Sequence, residues 1–212
     1  MDWHQRNCPR DLATAAGRAQ SKPKAIALMM TKPSSSTIAM DAPVVFDALT
    51  SDEEFAAALE ELSKLSFGFG AISTNPNLPI WHGAIDKQSL PVRLAVNALS
   101  TLTDAEFELI SCHLNLQTHG LDGAFHVDDG DPNGDVTHAL NWYVHPYPWP
   151  AEYGGYLLVG DDTRNLRAIL PARNSAVLIP ANILHCATSP FLAAGAAARI
   201  SLTLKLRLKD EI

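Results

Sequence analysis

From residue 107 onward the chain is a succession of short apolar segments, each closed by a turn signal, and this pattern leaves few folds open. The segments span residues 107–117, 124–128, 136–145, 155–160, 166–170, 175–180, 184–188 and 199–208. Each has strand length and is bounded by Gly, Pro, Asn, Asp or Ser, with turn-forming stretches at 129–134, 146–150, 161–165, 171–174 and 189–195. In the last segment Leu202, Leu204, Leu206 and Leu208 recur at every second position, so one side of its pleat faces a core. A series of such strands predicts a sandwich or barrel.

Ahead of them the period changes from two to 3.6. Ser51-Asp52-Glu53-Glu54 has the form of a capping box, and Phe55, Ala58, Leu59, Leu62 and Leu65 follow at helical spacing. Gly68 and Gly70 flank an extended run over 67–73, and 75–79 reads as a loop. Residues 90–102 read as a second helix, with Leu94, Val96, Ala98 and Leu99 mostly apolar. Helices followed by strands predict an α+β chain: a double-stranded barrel of the jelly-roll or cupin-like kind, with the N-terminal helices packed on one sheet.

Residues 1–42 show no sustained apolar period. They are expected to be a flexible leader ahead of a single domain over 43–212. Their scarcity of acidic residues leaves an organelle transit peptide as the alternative. The chain of 212 residues, 47% apolar and 18% charged, suits one globular domain. No apolar run approaches the ~20 residues of a membrane span, and no secretory h-region is evident. Cys8, Cys112 and Cys186 form no C-x-x-C pair. The default expectation is therefore a cytoplasmic protein. The net charge of −7 is uneven: residues 1–40 carry six Lys/Arg against Asp2 and Asp11, and residues 41–212 carry ten against 21 Asp/Glu. An acidic body repels a phosphate backbone, which argues against a nucleic-acid partner.

The chemistry concentrates at His126-Val127-Asp128. On extended backbone, residues two apart share a face, so both side chains can reach one ion. On a helix they would diverge by about 200°. His185, on a short apolar segment, is the candidate third ligand. Two neutral imidazoles and a carboxylate form the facial triad that suits Fe(II) and leaves coordination positions open. Arg199 opens the last apolar strand, where a charge is unusual unless paired. It can grip a carboxylate with two prongs, and Ser201, two residues on, can add a hydroxyl.

These residues, with Trp149-Pro150-Ala151-Glu152-Tyr153-Gly154-Gly155-Tyr156-Leu157, resemble the Fe(II)/2-oxoglutarate-dependent oxygenase superfamily, and within it the prolyl-hydroxylase-like branch. The likeness covers roughly residues 105–208. It implies two facing sheets with Fe(II) at the open mouth, on His126, Asp128 and His185. It implies that Arg199, with Ser201, binds the distal carboxylate of 2-oxoglutarate, with Tyr143 and Asn141 as further candidates for that contact. It also implies O2 as oxidant, release of succinate and CO2, and ascorbate as a stimulant. Where the branch has Tyr-x-Pro-Gly, this chain has Leu116-Gln117-Thr118-His119-Gly120, so Gln117 or His119 takes that place or the region serves substrate. Tyr143-Val144-His145-Pro146 stands where the branch has Tyr-Leu-Asn. Related halogenases lack the ligand carboxylate, so Asp128 points to hydroxylation, though desaturation, ring closure and epoxidation use the same triad.

The substrate stays open between a small molecule or amino acid and a peptide, the prolyl-hydroxylase alternative. A non-catalytic cupin-like metal barrel is the third alternative. The acidic stretch 128–135 reads as a solvated turn, or as an attraction for a cationic substrate. Trp81, Trp142, Tyr147 and Trp149 read as core or rim residues, and His82, His113, His138 and His145 receive no role.

Overall fold

In a computed structural model, residues 40–70, 78–128 and 134–209 are described. The expected leader over 1–42 lies outside them except for Met40, Asp41 and Ala42, as does most of the acidic stretch. The elements are β1 (Val44–Phe46), α1 (Asp52–Leu62), β2 (Gly68–Gly70), β3 (Ile80–Gly83), α2 (Leu90–Thr103), β4 (Phe107–Gln117), β5 (His138–Tyr143), β6 (Leu157–Gly160), β7 (Leu166–Ile169), β8 (Ala176–Pro180), β9 (Leu184–Ala187) and β10 (Arg199–Leu208).

The capping box starts α1. Ser51 Oγ accepts from the Glu54 N–H at 3.2 Å, and the Glu54 carboxylate accepts from the Ser51 N–H at 3.0 Å. α2 begins with Pro91 in its first turn, where a missing N–H costs nothing.

The strands form a seven-stranded sheet in the order β1-β8-β5-β10-β4-β3-β2 and a three-stranded sheet in the order β7-β6-β9. Every pairing is antiparallel. The pleat assigns neighbouring residues to two apolar clusters. Trp142 and Leu178, with Leu202, Leu204 and Leu206, pack against Phe55 and Ala58 of α1 and Val92, Ala95 and Leu99 of α2. Their neighbours Tyr143 and Val177 join Leu157, Val159, Ile169 and Ile179 of the other cluster. The helices therefore cover one face of the large sheet, and the small sheet packs on the other. Trp142 is fully buried, edge-on to Phe55 at 5.7 Å, and its indole N–H reaches Asn174 Oδ1 at 3.0 Å.

β4 and β10 carry the site and are not regular throughout. Lys205 pairs with Ser111 but Leu206 pairs with Leu109, so Ile110 is an extra residue on β4. Its carbonyl accepts from Lys87 Nζ at 2.6 Å. The bulge flips the parity of the strand. Phe107 and Leu109 face the helices before it, and Cys112 and Leu114 do so after it.

One local expectation needs correction. The segment 124–128 is not a regular strand: His126 and His185 form a single bridge, exchanging both backbone hydrogen bonds at 3.0 and 2.9 Å. Gly123 and Asp128 bond outward to Ala187 and Ala181 instead, at 2.7 and 2.6 Å. β1 and β3 were not anticipated, because three or four residues are too few to show a period. Of the extended run over 67–73, Gly68–Gly70 is a strand, and residues 71–73 lie outside the described residues. Among those residues no helix is long and apolar enough to cross a membrane.

Candidate active site

The bridge between His126 and β9 brings the three side chains of the expected triad together. His126 Nε2 lies 3.5 Å from Asp128 Oδ1, and His185 Nε2 lies 3.7 Å from Asp128 Oδ2. One ligand atom from each lies within 4.8 Å of the others. Each imidazole is also oriented from behind. His126 Nδ1–H donates to the Ala124 carbonyl at 3.0 Å, and His185 Nδ1–H to the Ile183 carbonyl at 2.9 Å. A carbonyl only accepts, so Nδ1 carries a proton and Nε2 is the nitrogen left to face Asp128. Burial, then the neighbouring His126, pushes the His185 pKa down and keeps that ring neutral. The Asp128 side chain is buried, and its Oδ2 faces the Lys205 ammonium and the His185 ring. Two convergent imidazole nitrogens and a carboxylate fit a divalent cation that accepts N and O ligands.

Arg199 is 3% exposed at the start of β10. It pairs across the sheet with Gln117, whose side-chain oxygen accepts from its Nη1. The Gln117 amide in turn donates to the carbonyls of Leu121 and Ala187, at 2.9 and 3.3 Å. The guanidinium stands 5.3 Å from the Tyr143 ring centre. Gly155, at φ +69, backs it, since a Cβ there would lie 3.4 Å from Arg199 Cδ. Gly154, at φ +61, is needed for space as well, because a Cβ would come within 2.7 Å of the Phe191 ring. Trp149 pins this turn through its indole N–H to the Gly154 carbonyl at 2.9 Å. Among the described residues no ion pair includes Arg199, and its Nε has no partner. An unneutralised buried guanidinium is costly, so this corner is built for an anion.

One cavity of ≈ 260 Å³ joins these parts. Arg199, Ser201, Thr203 and Lys205 form its β10 wall, His113, Asn115 and Gln117 its β4 wall, and His126, Asp128, His185 and Asn141 complete it. Ser201 and Asn141 thus reach the cavity as expected. Tyr143 packs in the apolar cluster between the sheets, beside the Arg199 guanidinium. Gln117 holds Arg199, whereas His119 turns away and donates to the Pro190 carbonyl at 3.0 Å.

The residues missing from the sequence reading are His113, Asn115, Thr203 and Lys205. The signal was present: they lie in the same alternation as Arg199 and Ser201, on the polar phase of the two strands. Thr203 donates to Asn141 Oδ1 at 2.8 Å and accepts from Asn115 Nδ2 at 3.2 Å, which cross-links the wall.

Two histidines beside the site are strongly perturbed. Burial, then Lys205, lowers His113 to about 4. Burial, then Arg199 and Arg173, lowers His145 to about 3. The unfolded chain binds protons at both sites near 6.5 and the folded chain does not, so their contribution is complete above pH 6.5 and is lost as pH falls toward 4. Folding stability is expected to drop by up to ~1.4 kcal/mol per pH unit for each ring in that window. Denaturant unfolding at pH 7 and pH 5 checks this, and equal stabilities would contradict it.

No protein-family model matches the chain, and no curated protein matches it by sequence. Solved structures do match. A 2OG-Fe(II) oxygenase family oxidoreductase from Burkholderia pseudomallei superposes with a TM-score of 0.61 at 13% identity, over 78% of this chain and 85% of that one. A Pseudomonas putida prolyl-4-hydroxylase gives 0.58 at 15% identity, over 80% and 94%. The epimerase SnoN, in complex with Fe3+, alpha ketoglutarate and nogalamycin RO, gives 0.57 at 16% identity, over 79% of each chain. The chain therefore has the double-stranded β-helix fold of the 2OG-Fe(II) oxygenases, in the form also taken by prolyl hydroxylases.

Proposed function

We propose that this protein is an Fe(II)- and 2-oxoglutarate-dependent oxygenase that hydroxylates an unactivated C–H bond of a small molecule or amino acid. The observation that carries this is a single cavity with a convergent His-Asp-His set in its wall and a buried, unneutralised guanidinium beside it. His126, Asp128 and His185 would hold the iron. Arg199, fixed by Gln117, would hold the distal carboxylate of the dicarboxylate, with Ser201 and the Tyr143 hydroxyl as neighbouring donors. Iron and 2-oxoglutarate, once bound, supply the oxidising power by consuming O2 and releasing succinate and CO2. The chain's own residues orient the co-substrate, present the ligand lone pairs and keep His185 neutral. The apolar cluster around Tyr143 excludes water behind the guanidinium. The cavity lies at the small end of ligand pockets, roughly 300–1,000 Å³. That size suits a small substrate or a single side chain of a larger one.

The test is succinate release from 2-oxoglutarate with Fe(II), ascorbate and air, in the absence of added substrate. Slow, iron-dependent succinate formation, abolished by a chelator, is expected. A complete lack of it, together with no measurable binding of 2-oxoglutarate, would leave the non-catalytic barrel as the better description.

A further inference from the structure

Lys205 sits six residues along β10 from Arg199, about 20 Å away at strand rise. The expected metal ligands line the same cavity, and Lys205 touches one of them, Asp128. Arg199 and Gln117 close one end of the cavity, and Lys205 reaches Asp128 from the other. The side chain is about one-fifth exposed and lines the cavity. Around it the described wall offers the Asn115 amide, the Thr203 hydroxyl and the His113 ring. Among the described residues Asp128 is the one carboxylate in that wall, against two cations, Arg199 and Lys205. A divalent cation on Asp128 claims the charge that the ammonium now faces. Like charges at such distances repel strongly where water is scarce. The ammonium must then turn to another anion, and the open volume beside it is where a substrate would lie.

We propose that Lys205 binds a carboxylate of the substrate, so that the protein oxidises a small carboxylic acid or free amino acid. This rests on the oxygenase assignment. Two carboxylates are sorted by two cations: the co-substrate's on the fork of Arg199, the substrate's on the point charge of Lys205. The strand separation keeps them apart.

The experiment uses the full chain loaded with Mn(II) and 2-oxoglutarate. Standard L-amino acids and short aliphatic acids are titrated by calorimetry, each beside its primary amide. The Fe(II) protein is assayed in parallel for product by mass shift. At least one acid is expected to bind about tenfold or more tightly than its amide, the usual scale for a hydrogen bond to a charged group. Lys205→Met should erase that ratio, and Lys205→Arg should retain it. A structural role for Lys205 would weaken acid and amide alike. Should Lys205→Met fail to fold, the wild-type ratio and Lys205→Arg still decide. Acids that bind no better than amides, a silent panel included, overturn the proposal, as does a ratio that survives Lys205→Met. Wild-type protein that makes iron-dependent succinate yet shows no acid preference removes this inference alone. Wild-type protein that neither binds 2-oxoglutarate nor makes succinate removes the oxygenase assignment beneath it.

Discussion

Replacing Arg199 with alanine is expected to weaken 2-oxoglutarate binding by 2–5 kcal/mol, which is roughly 30-fold to several thousand-fold, because a buried charge-assisted pair is lost. The effect should appear in calorimetry on the Mn(II) protein and as a matching rise in the 2-oxoglutarate requirement for succinate release. Arg199→Lys should recover part of the loss, since a point charge replaces one prong of the fork but cannot also hold Gln117 in the same geometry. Stability should move the other way from affinity. The guanidinium is buried without a carboxylate partner, so its removal relieves a desolvation cost in the ligand-free protein. Arg199→Ala is therefore expected to unfold no earlier than wild type on heating in the absence of 2-oxoglutarate. An unchanged affinity would mean that the dicarboxylate binds elsewhere.

The second large effect is expected at Asp128. Replacing this carboxylate with alanine should lower iron affinity by at least ~100-fold, beyond the 10–100-fold typical of losing a mere supporting contact to a ligand. Iron-dependent succinate release should fall below detection. Asp128→Ala also leaves Lys205 facing the cavity without its present counter-charge. Two imidazoles with a nearby ammonium are a poor host for a divalent cation, so excess Fe(II) should rescue little. Metal content after dialysis, measured beside wild type and His126→Ala, checks this. Full iron retention in Asp128→Ala would exclude the carboxylate as a ligand.

Much of this architecture is written in local pattern. β10 was legible to the residue because its leucines alternate against polar positions. α1 was legible because Ser51 and Glu54 satisfy each other's backbone donors. The proximity of His126, Asp128 and His185 could be anticipated from spacing and chemistry. The backbone that joins them could not, because a one-residue bridge has no period. Lys205 was hidden for a different reason. A lysine on the polar phase of a strand ordinarily points into solvent, and only the small sheet folding over the large one turns that phase inward. Tyr143 shares the pleat face of Asn141 and packs among Leu157, Val159 and Val177.

The extra residue at Ile110 has a consequence for how this barrel can vary. β4 is a splice of two registers. Before the splice, odd-numbered positions serve the helices. After it, odd-numbered His113, Asn115 and Gln117 serve the cavity. Deleting that one amino acid would join Leu109 to Ser111 opposite Leu206 and Lys205, so a single alignment with β10 would keep both Phe107 and Leu109 under the helices and Gln117 opposite Arg199. A deletion anywhere from Ser111 to Leu116 would instead leave the downstream residues one place out of step with β10 or turn them to the other face. The bulge is therefore the place where this strand can lose a residue and keep both of its faces.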